Sequence, residues 1–140
     1  MSMKSLIIAF AATVGLLLSS FNGPALAFSG GNFPACDAPQ VLSYIQNRFV
    51  WTDRHVLKRG LAIESIQRVH RNRSRTGHEY WSIPRLYCHG TAHMNDGHKR
   101  QIWWLIEGDM GFAGLRDNLE FCISGLDPFK VHGAWCRSVR

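Results

Sequence analysis

RLYCHGTAHMNDGHKRQIWWLIE, residues 85–107, is the stretch that decides the fold. Leu86, Cys88, Gly90, Ala92 and Met94 fall on one face of an extended chain, and Arg85, Tyr87, His89, Thr91 and His93 on the other. A period of two belongs to a half-buried strand. Asn95-Asp96-Gly97 carries turn chemistry, and residues 99–107 read as the returning strand. The loop length then sets the register. A two-residue turn at Asp96-Gly97 would oppose Met94 to Lys99 and Ala92 to Gln101, apolar against polar. A three-residue loop, with Gly97 left-handed, opposes Ala92 to Arg100, Gly90 to Ile102, Cys88 to Trp104 and Leu86 to Ile106, apolar with apolar in three of the four pairs. On the other face it sets Arg85 opposite Glu107, Tyr87 opposite Leu105, His89 opposite Trp103 and His93 opposite Lys99. A slip of one residue exchanges the faces of a strand, so the three-residue loop is the expected one.

Downstream, residues 118–124 read as another strand, with Leu119, Phe121 and Ile123 on one face and Cys122 on the other. Asp127-Pro128 opens a short helical turn that Gly133 closes. Upstream, Leu61–His70 fits helix or strand, and its β-branched residues favour strand. Residues 72–79 read as a polar loop. Further back, Asp37 can cap a helix with Pro39 in its first turn and Gln40 completing a capping box. Val41, Leu42, Ile45 and Phe49 follow at helical spacing, and the helix runs to Gly60 or breaks near Thr52-Asp53. The expected fold is α+β: an N-terminal helix packed on an antiparallel sheet of three or four strands, stabilised by disulfides.

The start reads as a targeting segment. Lys4 precedes an apolar run from Leu6 to Leu18, and Pro24 precedes Ala25-Leu26-Ala27, a small-x-small cleavage pattern. That is the layout of a secretory signal peptide over residues 1–27, and the run is shorter than the roughly 20 residues of a spanning helix. Residues 28–140 then form a single small globular domain, periplasmic or secreted, with no transmembrane anchor after cleavage. All four cysteines, Cys36, Cys88, Cys122 and Cys136, lie in that part. An even count in an exported chain implies two disulfides with three connectivities. Cys122–Cys136 is the first choice because the two flank a compact, turn-rich segment, and Cys36–Cys88 is its complement.

The full chain carries a net charge of +6. A basic exported protein meets anionic envelope material before nucleic acid, so nucleic acid is not an expected partner. The run RVHRNRSR supplies Arg68, Arg71, Arg73 and Arg75, with no acidic residue between Arg68 and His78. Guanidinium groups pair bidentately with phosphate and carboxylate. In an extended loop Arg71, Arg73 and Arg75 would project to one side, with Tyr80 and Trp81 framing the exit. A solvated loop is the bland alternative. A second surface is Tyr87, His89, Trp103 and Leu105, an apolar-aromatic face for a partner or a second copy of the chain, unless the C-terminal segment or Ile83 covers it.

Other chemistry reads weakly. In the expected register His89 and His93 share one face and His98 lies on the other, and Lys99 and Arg100 lie close, so the hairpin supplies two ligands at best and no metal site is expected where zinc would need three or four. Cys88 or Cys136 paired with a histidine would make a thiol nucleophile, which a structural disulfide preempts. Glu107, Asp109 and Asp117 have no diagnostic spacing for glycoside cleavage. The Gly-rich stretch 108–114 lacks the ending of a phosphate loop. No cofactor is expected.

The segment from Met110 to Arg140, with GFAGLRDNLEFCISGLDPF and HGAWCRSVR, resembles a family of small exported, cysteine-containing proteins of Gram-negative bacteria. The likeness runs more loosely back through YCHGTAHMNDG to Cys36. It implies a small secreted domain without an established activity and brings no catalytic residues. The expected function is a non-enzymatic envelope or extracellular binding module for an anionic or protein partner. The alternative is a small enzyme or ligand carrier with a pocket between helix and sheet.

Overall fold

The computed structural model describes residues 34–75, 83–108 and 118–140. The leader and its cleavage pattern, residues 28–33, the loop 76–79, Tyr80, Trp81, Asp109, Asp117 and most of the Gly-rich stretch lie outside them. The elements run α1 (Pro39–Thr52), β1 (Ile63–Arg75), β2 (Arg85–Met94), β3 (Lys99–Glu107) and β4 (Asn118–Ile123), then a tight coil at Ala134–Val139. The strands form one four-stranded sheet in the order β1-β2-β3-β4, antiparallel throughout. One helix packs on it, so the arrangement is α+β.

β2 and β3 pair in the register argued from the loop, from Arg85 with Glu107 to His93 with Lys99. Gly97 takes φ +79°, which the three-residue loop requires. Leu61–His70 resolves in favour of strand, and β1 continues through Arg75, so Arg71, Arg73 and Arg75 lie on a strand and not in a loop. Successive bulges break the alternation of β1. The Asp127-Pro128 segment forms turns rather than a helical turn; Asp127 caps them by accepting from the amides of Val131 (3.1 Å) and His132 (3.0 Å).

α1 starts without a side-chain cap. Ala38 is its N-cap and Pro39 its first residue, where a missing N–H costs nothing, so Asp37 does not cap. Beyond Thr52 the helix widens into one π-turn, Asp53–Leu57, and stops at Lys58 with φ +52°. Asp53, 1% exposed, sets this end. Its carboxylate accepts from Arg59 Nε (2.9 Å), Arg59 N (3.1 Å) and Leu61 N (3.0 Å). Burial alone would raise its pKa; the Arg59 side chain and the Leu61 amide outweigh burial and hold it below the ordinary value.

The inner face of the sheet and α1 enclose the main core. Val41, Ile45 and Phe49 from one helix stripe meet Leu86, Cys88, Met94, Ile102, Trp104 and Ile106. Trp104, fully buried, lies beneath Gly90, where an added Cβ would stand 3.4 Å from the indole. Its Nε1 is buried without an acceptor among the described residues, a cost of about 1–3 kcal/mol set against the space the ring fills. The disulfides are Cys36–Cys88 and Cys122–Cys136, with no free cysteine among the described residues. Both are bonds that an oxidising, non-cytoplasmic compartment supports. Among the described residues no helix is long and apolar enough to cross a membrane.

Candidate functional site

The outer face of the sheet carries a second, smaller cluster. Cys122 points outward and bonds Cys136, which draws the C-terminal coil across β2 and β3. Val139 is fully buried there, and Tyr87 and Leu105 are 5% and 6% exposed beneath it. Of the two readings of this face, partner surface or covered layer, the covered one holds for Tyr87 and Leu105: they are core residues beneath the C-terminal coil and not a partner surface. They were apolar on the outer face because the coil covers them. His89 and Trp103 stay partly open at its margin.

The expected anion-binding set is also rearranged. Arg71 pairs with Cys88 and Arg73 with Tyr87, so the bulge between them turns Arg71 to the inner-face side and Arg73 to the outer. Arg75 lies beside Arg85 at the far end. Arg73 stacks over the Tyr87 ring at 3.9 Å and donates to the main-chain oxygen of Arg140 at 2.5 Å. Arg68, at φ +51° in another bulge, donates from Nη2 to Thr91 Oγ1 at 3.2 Å. Arg140 lies over the Trp103 ring at 5.2 Å. Arg68, Arg73 and Arg140 therefore frame one row of the sheet, and Arg71 and Arg75 do not.

That row is His70, His89, Trp103 and Cys122, one residue from each strand. His89 stacks on Trp103 (centroids 5.0 Å apart, planes 19°) and meets His70 edge-on. His70 Nδ1 is 3.0 Å from the main-chain oxygen of Arg68, His70 Nε2 is 3.0 Å from His89 Nδ1, and His89 Nε2 is 2.5 Å from Gln101 Oε1. Both outer partners are oxygens, which only accept. Turning the Gln101 amide over presents its NH2 to His89 and satisfies the same chain with a neutral pair. Burial lowers the His89 pKa; Gln101 opposes this, and the charges of His70 and Arg140 lower it further. The carboxylates that the register puts on this face, Glu107 and Glu120, are held by Arg85 (2.7 Å) and by Asn118 (3.2 Å).

The remaining candidates have separate partners. His98 bonds Asp96 at 3.2 Å, and His93 lies between Ser65 and Lys99. Among the described residues no group of three or more His, Cys, Asp or Glu could hold a metal ion. The disulfides consume Cys88 and Cys136, which removes the thiol-nucleophile reading, and Glu107 is spent on Arg85. Sequence reasoning missed Gln101 and Arg140 as members of the site. Gln101 gave no signal, and Arg140 arrives only through the Cys122–Cys136 bond. No protein-family model, curated protein or solved structure matches this chain.

Proposed function

We propose that the protein is an exported, non-enzymatic binding module of the envelope or extracellular space, and that the outer row of its sheet recognises an anionic partner. The supporting observation is the convergence of Arg68, Arg73 and Arg140 around the His89–Trp103 stack. Each guanidinium has spare donors beyond the bond that positions it. The aromatic stack offers a flat apolar floor, and the cations are held, so less entropy is lost when they engage carboxylate, sulfate or phosphate groups. A shallow rigid surface of this kind suits adsorption to a polymer and does not enclose a substrate.

The test is binding to an immobilised acidic polysaccharide at low and at physiological salt. Binding should weaken sharply as the screening length falls to about 8 Å. Changing Arg68, Arg73 and Arg140 together to Ser should abolish it, and Arg71→Ser, on the other face, should leave it intact. Equal binding by the triple variant would end the proposal.

A further inference from the structure

One helix does not cover four strands. A helix with its side chains is about 10–12 Å across, while strands lie about 4.8 Å apart. α1 is fixed toward the β1 side: Cys36–Cys88 ties its start to β2, and Gln46 Nε2 donates to the main-chain oxygens of Ile63 (3.2 Å) and Glu64 (3.1 Å). The inner face of β4 lies beyond it, with Leu119 and Phe121 only partly buried. Opposite the helix, the chain after β4 rises as a second wall. Asp127 and the main-chain bonds Lys130 N to Asp127 O (3.3 Å) and Gly133 N to Lys130 O (2.9 Å) set its shape.

Between the walls runs a groove of about 480 Å³, floored by Phe49, Leu119 and Phe121. Tyr44, Arg48, Thr52 and Val56 line its helix side at four-residue spacing, and Phe129 and Val131 line the other. Phe129 and Val131 are 72% exposed each, and both sit on the turns that follow β4. Of the six large hydrophobics left exposed among the described residues, Tyr44, Val56, Phe129 and Val131 border this one groove. Scattered exposed apolar side chains need no explanation, but convergence on a concavity marks a binding site. The groove is smaller than two turns of a helix about 10 Å wide with a pitch of about 5.4 Å, which suits a slender occupant.

The rim carries Arg48 and Arg59 against Asp53, Glu120 and Asp127, and of the two guanidinium groups Arg59 is already paired with Asp53. Asp53 is used by Arg59 and Leu61, and Asp127 by its own turn. Glu120 bonds Asn118 and lies 3.8 Å from His132. Arg48 lies over the Trp51 ring at 5.1 Å and has no carboxylate partner among the described residues. The geometry points to an amphiphile site: the groove takes a single alkyl chain against Leu119, Phe121, Phe129 and Val131, with an anionic head group at Arg48. This site lies over the inner face and edge of β4; it shares Cys122 with the outer row but none of the arginines that frame that row.

Calorimetric titration of the disulfide-bonded protein with dodecanoate, hexadecanoate and dodecan-1-ol, each below its aggregation limit, tests this. The carboxylates should bind saturably at one site, more tightly than the alcohol. Phe129→Glu and Val131→Glu change exposed side chains, so the fold should persist by near-ultraviolet dichroism while affinity falls about tenfold or more. Arg48→Gln should weaken carboxylate binding and leave the alcohol unchanged. Absence of saturable binding, or binding indifferent to Phe129→Glu and Val131→Glu, would overturn the site. A concentration-dependent dimer that Phe129→Glu dissolves, with no amphiphile binding, would overturn it in favour of a second copy. An Arg48→Gln effect equal for acid and alcohol would overturn the head-group assignment.

Discussion

Replacing Cys122 and Cys136 together by Ser tests the second layer of the fold directly. The bond closes a loop of sequence separation 14. In the chain-entropy model such a loop removes about 10 cal/mol/K from the unfolded chain, or about 3 kcal/mol at 25 °C. Two further effects oppose each other. The bond holds Trp135 and Cys136 at φ +57°, a conformation costing about 1–2 kcal/mol per residue, and release relieves that strain. Release also uncovers Val139, Tyr87 and Leu105, each worth about 1.5–3 kcal/mol if fully re-exposed. The net expectation is a loss of about 3 kcal/mol or more, with the coil detached. Equilibrium urea unfolding gives the first quantity. Hydrogen exchange gives the second, through the Ser138 amide, which donates to the His132 oxygen at 3.1 Å. A loss below about 1 kcal/mol with Ser138 still protected would show that packing alone holds the coil and that the loop argument is wrong. The same variant should lose polysaccharide binding, because Arg140 leaves Trp103.

Three shorter predictions rest on single residues. His89 has a lowered pKa, so the unfolded chain takes up a proton on this ring at higher pH than the folded one. Its contribution to stability should be complete above about 6.5 and fall as pH drops through that value toward the folded pKa; His89→Gln should flatten this part of a urea-midpoint profile, and an unchanged slope would sink the assignment. Asp53→Asn should cost about 2 kcal/mol near neutrality, reduced from a fully buried pair because Arg59 is 28% exposed. Since the folded carboxyl lies below 3.8, the parent's advantage should vanish as pH falls through that folded value, and a pH-independent difference would contradict the mechanism. Gly90→Ala places a methyl 3.2 Å from the Gln67 oxygen and 3.3 Å from Ile66 Cγ2; overpacking of about 1–3 kcal/mol should appear in thermal unfolding, and a neutral result would mean that β1 yields there.

The hairpin was legible because its determinants are local. Ten residues alternate, a glycine sits where the loop needs positive φ, and the apolar pairs close in only one register. β1 was less legible for the opposite reason. IESIQRVHRNRSR does not alternate, and its bulges answer to the facing strand, so no spacing rule could place Arg71 and Arg73 on opposite faces. Tyr87 and Leu105 carried a signal for the second layer, since two apolar groups together on an outer face call for a cover. The C-terminal segment was one of the two covers the sequence offered, and Cys122–Cys136, the pairing that brings it there, was the first choice of three. A pocket between helix and sheet was the alternative expected from the sequence, but its place over β4 and its lining were not legible, because they depend on where the helix sits across the sheet. Gln46 and Cys36 fix that position, and neither belongs to the helix's apolar stripe.

The strand order has a kinetic consequence. Because β1, β2, β3 and β4 are neighbours in sequence and in space, each strand after β1 finds its template already made when the chain emerges from its N-terminus. Loop-closure cost stays small at every step of sheet growth. The cysteines emerge in an order that suits this: Cys36 and Cys88 are both available before Cys122 and Cys136 arrive. The first oxidation open to the chain is the native long-range one, and by then only the other native pair remains. Oxidative maturation can then reach the correct covalent isomer by sequential trapping, with little need for the thiol–disulfide exchange that resolves scrambled bonds. A refolding experiment that starts from the whole reduced chain forfeits this order and should pass through mispaired species that ordered emergence of the cysteines avoids.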